Sequence, residues 1–234
     1  MSIRRTVRLI LLLAFVSSAA PLLAAEPLFS LDFSAEKSGP AVPWLKQHGF
    51  ECKLGFESLN PRFENGALEL STERPAGGFC AREFPRGKDL KGVKRVRIVW
   101  GVNQFPEGAD WERGIDRLAI GLIVSFGYDK LPSGLPFGIH PEPYFICPFI
   151  GARAIEDKAY TAKYWRQGGR YVCVKSKKLG EPTVTELNVD HLFKSLFNKT
   201  ETPPVSAFAI QMNTKDTKGK ASAFIKSIEF LDGE

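Results

Sequence analysis

Apolar and polar positions alternate along most of this chain with the two-residue period of a half-buried strand. At the start, Leu28, Ser30 and Asp32 oppose Phe29, Leu31 and Phe33. Further on, Val96, Ile98, Trp100 and Val102 share one face while Arg95 and Arg97 take the other. Leu118, Ile120, Leu122, Val124 and Phe126 repeat the pattern. Residues 78–84, 144–150, 171–175, 205–212 and 223–230 complete an expected set of nine or ten strands. Asn65-Gly66, set between Phe63 and the run Ala67-Leu68-Glu69-Leu70, spells a two-residue hairpin turn, because both residues tolerate positive φ. Helical periodicity is confined to 189–198, where Leu192, Phe193 and Leu196 share a side, and to a turn near 44–49. Many short strands with spaced turns predict an all-β, two-sheet, jelly-roll-like sandwich carrying one or two short helices.

One segment breaks the pattern. Arg4, Arg5 and Arg8 precede an apolar run over 9–16, and small residues fill 17–25 before the polar Glu26. That three-part layout predicts a signal peptide over 1–25, cut after Ala24 or Ala25, and a single sandwich domain over 26–234. A retained N-terminal anchor is the rival reading. The apolar run is short for a bilayer, and no later run reaches spanning length, so no stable membrane insertion is expected after cleavage. Export places the protein in the periplasm, with further secretion left open.

Export changes the charge argument. The chain carries 32 Lys+Arg and 26 Asp+Glu, a formal +6. Three of the arginines lie in the leader, so 29 cations face 26 acids afterwards, about +3. That excess calls for no nucleic-acid partner. The densest basic group, Lys175, Lys177 and Lys178, reads as a solvated strand end. Four cysteines remain, with no Cys-x-x-Cys pair and three histidines in the whole chain, so no metal site or other cofactor is expected. In an oxidising compartment the even count favours disulfides, here Cys52 with Cys80 and Cys147 with Cys173. Buried free thiols are the alternative.

The order of residues also carries a resemblance. A strand 96–102 (Val-Arg-Ile-Val-Trp-Gly-Val) leads to Pro106-Glu107-Gly108-Ala109-Asp110 and then to Asp116-Arg117-Leu118. Much later, Gln211-Met212-Asn213-Thr214-Lys215-Asp216-Thr217 precedes the closing strand. This resembles the bacterial exported family catalogued as domain of unknown function 3047, over about 29–230. Asn213 and Lys215 stand where that family commonly has acids, and Asp116 stands alone where a pair is common. The resemblance implies a jelly-roll-like sandwich similar to carbohydrate-binding modules; the family name implies no activity.

Strand alternation places Arg97, Arg117, Gln211 and Asn213 outside the core, where guanidinium forks and amides suit sugar hydroxyls or a carboxylate. The alternative for these four is an ordinary solvated sheet face. Trp111 and Trp165 lie in polar loops and are candidate platforms for pyranose rings, with anchoring against the sheet as the alternative. Asp110, Glu112 and Asp116 form the one carboxylate cluster with catalytic spacing in reach, beside Arg113 and Arg117, which favour ion pairing instead. No Gly-x-Ser-x-Gly elbow or calcium loop occurs. The leading expectation is therefore a non-catalytic exported domain that binds a glycan or another envelope ligand. A glycoside-cleaving enzyme using the 110–116 acids and a structural or assembly protein of the envelope are the alternatives. Oligomeric state is not legible at this stage.

Overall fold

The computed structural model describes residues 26–135, 140–175 and 178–233. The signal peptide expected over 1–25, Lys177 and Glu234 lie outside the described residues. The strands in chain order are β1 (Phe29–Asp32), β2 (Gly39–Pro40), β3 (Phe50–Lys53), β4 (Arg62–Glu64), β5 (Ala67–Thr72), β6 (Gly77–Glu83) and β7 (Arg95–Gln104). They continue as β8 (Leu118–Leu131), β9 (Glu142–Phe149), β10 (Ala159–Tyr160), β11 (Gly169–Cys173), β12 (Thr183–Asn188), β13 (Val205–Asn213) and β14 (Ala221–Leu231). Helix α1 spans Val42–Gln47 and α2 spans Val189–Phe197.

Two seven-stranded sheets face each other. The first runs β12-β7-β14-β5-β4-β2 with β1 also on β14, and the second runs β10-β11-β9-β8-β13-β6-β3. Neighbours are antiparallel except β11, which runs parallel to β9. The jelly-roll-like two-sheet sandwich expected from the alternation is thus present, with its two short helices. β4 and β5 are joined by Asn65 (φ 53°) and Gly66 (φ 65°), with Glu64 opposite Ala67, which is a two-residue turn with positive φ at both positions.

Side chains from both inner faces fill the space between the sheets. Val96, Ile98 and Trp100 from β7 are wholly buried, as are Ile120, Leu122 and Val124 from β8 and Phe208, Ile210 and Met212 from β13. This is the ordinary solution for sheets with one apolar face, since neither face is stable in water alone. Helix α2 opens on Asn188, whose side chain accepts the His191 N–H at 2.8 Å, and closes at Asn198 with φ 52°. Phe193 is buried against Phe126, with Leu192 and Leu196 packed at the margin of the same core.

Fourteen strands among the described residues replace the nine or ten expected. Among those not anticipated, β12 places Thr183 and Thr185 inward with Leu187, so two of its three inward positions are polar and its hydrophobic signature is weak. Thr185 is kept there by the Trp100 indole N–H, which donates to its hydroxyl at 2.9 Å.

The expected cysteine pairing holds in one half and fails in the other. Cys52 and Cys80 sit directly opposite on β3 and β6 and form a disulfide. Cys147 and Cys173 are free and buried. The register explains this: Cys147 faces Tyr171 and Cys173 faces Phe149, so the two are offset by two residues on adjacent parallel strands. Strand spacing and rise then put their Cα atoms about 8 Å apart, beyond what a disulfide spans. No helix among the described residues is long and apolar enough to cross a membrane.

Candidate functional site

The two sheets present different outer faces. On the first sheet, Arg97 of β7 points outward between β12 and β14, opposite Glu186 and Glu229. Its guanidinium donates to the Glu186 carboxylate at 3.0 Å and to Glu229 at 3.0 Å, while Arg95 also pairs with Glu186. These hydrogen bonds from the arginines hold the Glu186 carboxyl below its usual range. Arg97 therefore belongs to a cross-strand charge ladder and does not join Arg117, Gln211 and Asn213. Those residues are on or beside the second sheet, on the other side of the molecule, because β7 and β13 belong to different layers.

The outer face of the second sheet is half covered. Trp111 is only 4% exposed, with its ring 4.2 Å from Phe149 and 5.2 Å from Tyr171. Its indole N–H donates to the Arg117 carbonyl at 3.0 Å. Trp111 is thus a packing residue of a second core cluster with Phe145, Cys147, Tyr160 and Tyr171, and offers no open platform. Trp165 is half-buried against Phe145, at φ 51°. Its main-chain N–H donates to the Ser133 carbonyl and its indole N–H to the His140 carbonyl, both at 2.9 Å, so it clamps the far part of the β8–β9 arm.

That arm bounds the face. Beyond Gly127 the Tyr128 hydroxyl donates to the Phe84 carbonyl at 3.1 Å, just past β6, although β13 lies between β8 and β6. Glu142, at the start of β9, is near enough to feel Glu83 of β6 and Lys53 of β3, and burial raises its carboxyl above the usual range. The face that remains between this arm and the 110–117 loop is floored by small side chains. Ala81 lies opposite Ala209, which lies opposite Ile123, and Ala207 lies opposite Ser125.

The acids of the loop separate by role. Asp110 accepts the Arg113 N–H at 3.2 Å, lies 3.8 Å from the Arg113 guanidinium and 3.7 Å from that of Arg153, and is buried. Glu112 is held by the Tyr160 hydroxyl and by Lys158 at 2.9 Å, and those hydrogen bonds, that of Tyr160 first, keep its carboxyl low. The Tyr160 phenol is correspondingly pushed up to about 12, by burial first and Glu112 second. Asp116 differs from both. Burial pushes its carboxyl up, while the Arg117 charge and the Lys163 main-chain N–H act the other way.

Asp116 shares its corner with Gln211 through Tyr171. The Gln211 side chain hydrogen-bonds the Tyr171 phenol, and burial raises that phenol far above its ordinary value, with the Asp116 charge adding to the rise. Gln211 sits in a row Phe79–Gln211–Gly121–Phe149 across four strands. Its Oε1 is out of contact with solvent and accepts no hydrogen bond from a described residue. Arg117 is spent on holding the corner together: its guanidinium donates to the Asp116 carbonyl at 2.8 Å, to the Lys215 carbonyl and to the Asp216 carboxylate. Asn213 is likewise committed, its Oδ1 accepting the Lys215 N–H at 3.1 Å.

Of the residues singled out from the sequence, Asp116, Arg117, Gln211 and Asn213 therefore meet at one end of the second sheet. Arg97 lies elsewhere, Trp111 is buried in packing, and Trp165 is half-buried and hydrogen-bonded to the β8–β9 arm. Tyr171 was missed, though the alternation of Tyr171 with Val172 and Cys173 marks it as sharing the outer face with Cys173. Among the described residues no group of three or more His, Cys, Asp or Glu side chains is placed to hold a metal ion.

No family model matches this chain, and no curated protein matches it. Among solved structures, similarity extends to the carbohydrate recognition domain of Emp46p in its potassium-bound form, at 11% identity and TM-score 0.45, covering 88% of this chain and 98% of that one. A legume lectin-like domain from Entamoeba histolytica matches at 10% identity and TM-score 0.40, covering 90% and 100%. The ENZbleach xylanase matches at 7% identity and TM-score 0.40, covering 88% and 87%.

Proposed function

We propose that this chain is an exported, periplasmic, non-catalytic domain that binds a glycan in the Asp116–Tyr171–Gln211 corner, and that it belongs to the exported family of unknown function 3047. The observation that carries the binding reading is the buried Gln211 oxygen without a donor, on a side chain that hydrogen-bonds the Tyr171 phenol, which also feels the Asp116 charge. A buried acceptor left unpaired costs about 1–3 kcal/mol, and a ligand hydroxyl supplied to it recovers that cost. Sugars deliver such hydroxyl donors in pairs. The last torsion of a glutamine is broad, so its amide can turn toward an incoming group without leaving a rotamer well.

The arrangement of the acids supports binding over hydrolysis. Glycoside cleavage needs two carboxyl groups about 5–9 Å apart, one of them able to give up a proton. Asp110 and Glu112 are tied to cations, and Glu142, the other carboxyl raised by burial on this face, lies opposite Leu131 at the far end of β8, roughly 40 Å of strand from Asp116. Export is supported by the Cys52–Cys80 disulfide, which persists in oxidising compartments.

Calorimetric titration with neutral oligosaccharides of several linkages tests the reading. Each of Gln211→Ala and Asp116→Ala is expected to weaken binding about tenfold, the worth of one good hydrogen bond, while Arg97→Ala leaves it unchanged. Because the carboxylate is the accepting form, affinity falls as pH drops through the Asp116 value, and that fall comes at a higher pH than for an ordinary aspartate. No binding by any oligosaccharide, or equal binding by the wild type and both corner variants, overturns the site.

A further inference from the structure

We infer that the free edge of β12 is a separate binding site, which takes an extended, uncharged segment of a partner protein as an added strand of the first sheet. The site lies at the open side of the sandwich and shares no residue with the corner on the second sheet.

The four ends of the two sheets differ in how they are protected. β2 and β10 are two residues long, and β2 ends in Pro40. β3 carries Lys53 and is tied down by the Cys52–Cys80 bond. Short strands, lysine and proline are the usual defences of an exposed edge. β12 has none of them. It runs six residues in unbroken register with β7, from Thr183 opposite Trp100 to Asn188 opposite Arg95. Its one charged residue, Glu186, is taken by Arg95 and Arg97. In an antiparallel pair, alternate residues turn their N–H and C=O groups away from the partner strand. Among the described residues no strand lies on that side of β12.

What lies beside the edge is a lane one strand wide. β7 packs over β8, so one step further out β12 lies over β9, and β11 and β10 reach beyond the first sheet. Helix α2 covers part of this overhang, with the Phe197 ring 4.8 Å from that of Tyr144 and 5.2 Å from the Arg170 guanidinium. The remainder is a cavity of about 410 Å³, lined by residues 183–187 on one side and by Val174, Lys175 and Asp157 on the other. That volume is in the range of pockets that hold ligands, and five residues of strand give the lane a length of about 17 Å. Val174 is buried and Leu187 half-buried, so the walls are largely apolar. Asp157 and Lys175 cancel at the rim, which leaves no net charge for a ligand to match. An uncharged segment rich in β-branched residues fits these terms. Its main chain completes the edge of β12, its alternate side chains enter the lane, and the others lie beside exposed Val184. The β12 edge of a second copy does not fit, because it would bring its own β9 into the space that β11 holds here.

The probe is a capped peptide, Asn-Thr-Val-Thr-Val-Thr-Asn, added to the protein at up to about 1 mM. Amides within 184–187 that face the lane are expected to exchange with solvent about tenfold more slowly when it is present, as a new strand pairing requires. The same peptide N-methylated at every residue keeps its side chains but has no main-chain donors, and is expected not to bind. Val174→Trp fills the lane and should weaken binding of the unmodified peptide about tenfold, with the urea midpoint reporting that the variant is folded. If it does not fold, the exchange pattern with the two peptides still decides. No added protection within 184–187, or equal protection from the N-methylated peptide, overturns the inference. Protection of those amides that grows with protein concentration and needs no peptide gives the edge to a second copy, and overturns it as well.

Discussion

Trp100→Ala is expected to lose about 4–6 kcal/mol of stability, enough to consume much of what a domain of this size has. Trp100 is wholly buried in the middle of β7, and it is the largest of the fully buried side chains. Truncating a buried tryptophan costs about 3–5 kcal/mol through lost transfer energy and the cavity left behind. A second loss adds to it. The indole N–H is the donor to the Thr185 hydroxyl on β12, and Thr185 is itself buried. Without that donor its oxygen carries part of the desolvation cost of an unpaired polar group. Urea unfolding followed by fluorescence of the remaining tryptophans reads the effect as a lower midpoint at unchanged slope. Trp100→Phe separates the two contributions: it keeps most of the ring and loses the N–H, so it should cost about 1–2 kcal/mol. A Trp100→Ala loss below 2 kcal/mol would mean that the two sheets do not close on this residue.

Removing the Cys52–Cys80 bond is the second large effect, an expected loss of about 3–4 kcal/mol for the loop it closes in the unfolded chain. The separation is 28 residues, and the bond ties the edge strand β3 onto β6. An edge strand has one hydrogen-bonded neighbour, so β3 has no partner on its far side to hold it when the cross-link goes. The Cys52→Ala/Cys80→Ala double variant should melt well below the wild type, and reductant should lower the wild-type midpoint while leaving the double variant unmoved. Thiol counting in denaturant supplies the complementary test. Two of the four thiols should react, those of Cys147 and Cys173, and both should resist modification in the folded protein because burial raises each above its ordinary range. No reactive thiol would mean a second disulfide after all.

Much of the fold was legible before any coordinates. β7, β8 and β13 are long, and every second residue is a large hydrophobe, so the period of two stands clear of noise. The Asn65-Gly66 turn needed nothing beyond its own two residues, because positive φ at both positions is a local steric matter. Helix α2 was legible because Leu192, Phe193 and Leu196 share one side of it. β12 was not, since two of its three inward positions are threonines, and Thr185 is satisfied by an indole from another strand.

The candidate site was legible only in pieces. Asp116, Arg117, Gln211 and Asn213 were each visible as polar residues at strand ends, but their grouping with Arg97 was wrong. Alternation says that a side chain leaves the core and is silent on which of two sheets it leaves from. Trp111 stood in a run of polar neighbours, Gly-Ala-Asp-Trp-Glu-Arg-Gly, which reads as exposed. What buries it are Phe149, Tyr160 and Tyr171, from β9, β10 and β11, whose approach is set by strand order.

By itself, then, the sequence determined the alternating strands, the hairpin turn, the short helix and the two-sheet sandwich class, because each follows from residues within a few positions of one another. Only the tertiary structure decided which strands are neighbours and in what register. That choice joined Cys52 to Cys80 and kept Cys147 from Cys173, turned Arg97 toward two glutamates, and brought Gln211 from β13 to Tyr171 on β11. Pairings between residues tens of positions apart depend on how both sheets close over a shared core, and no local pattern encodes that.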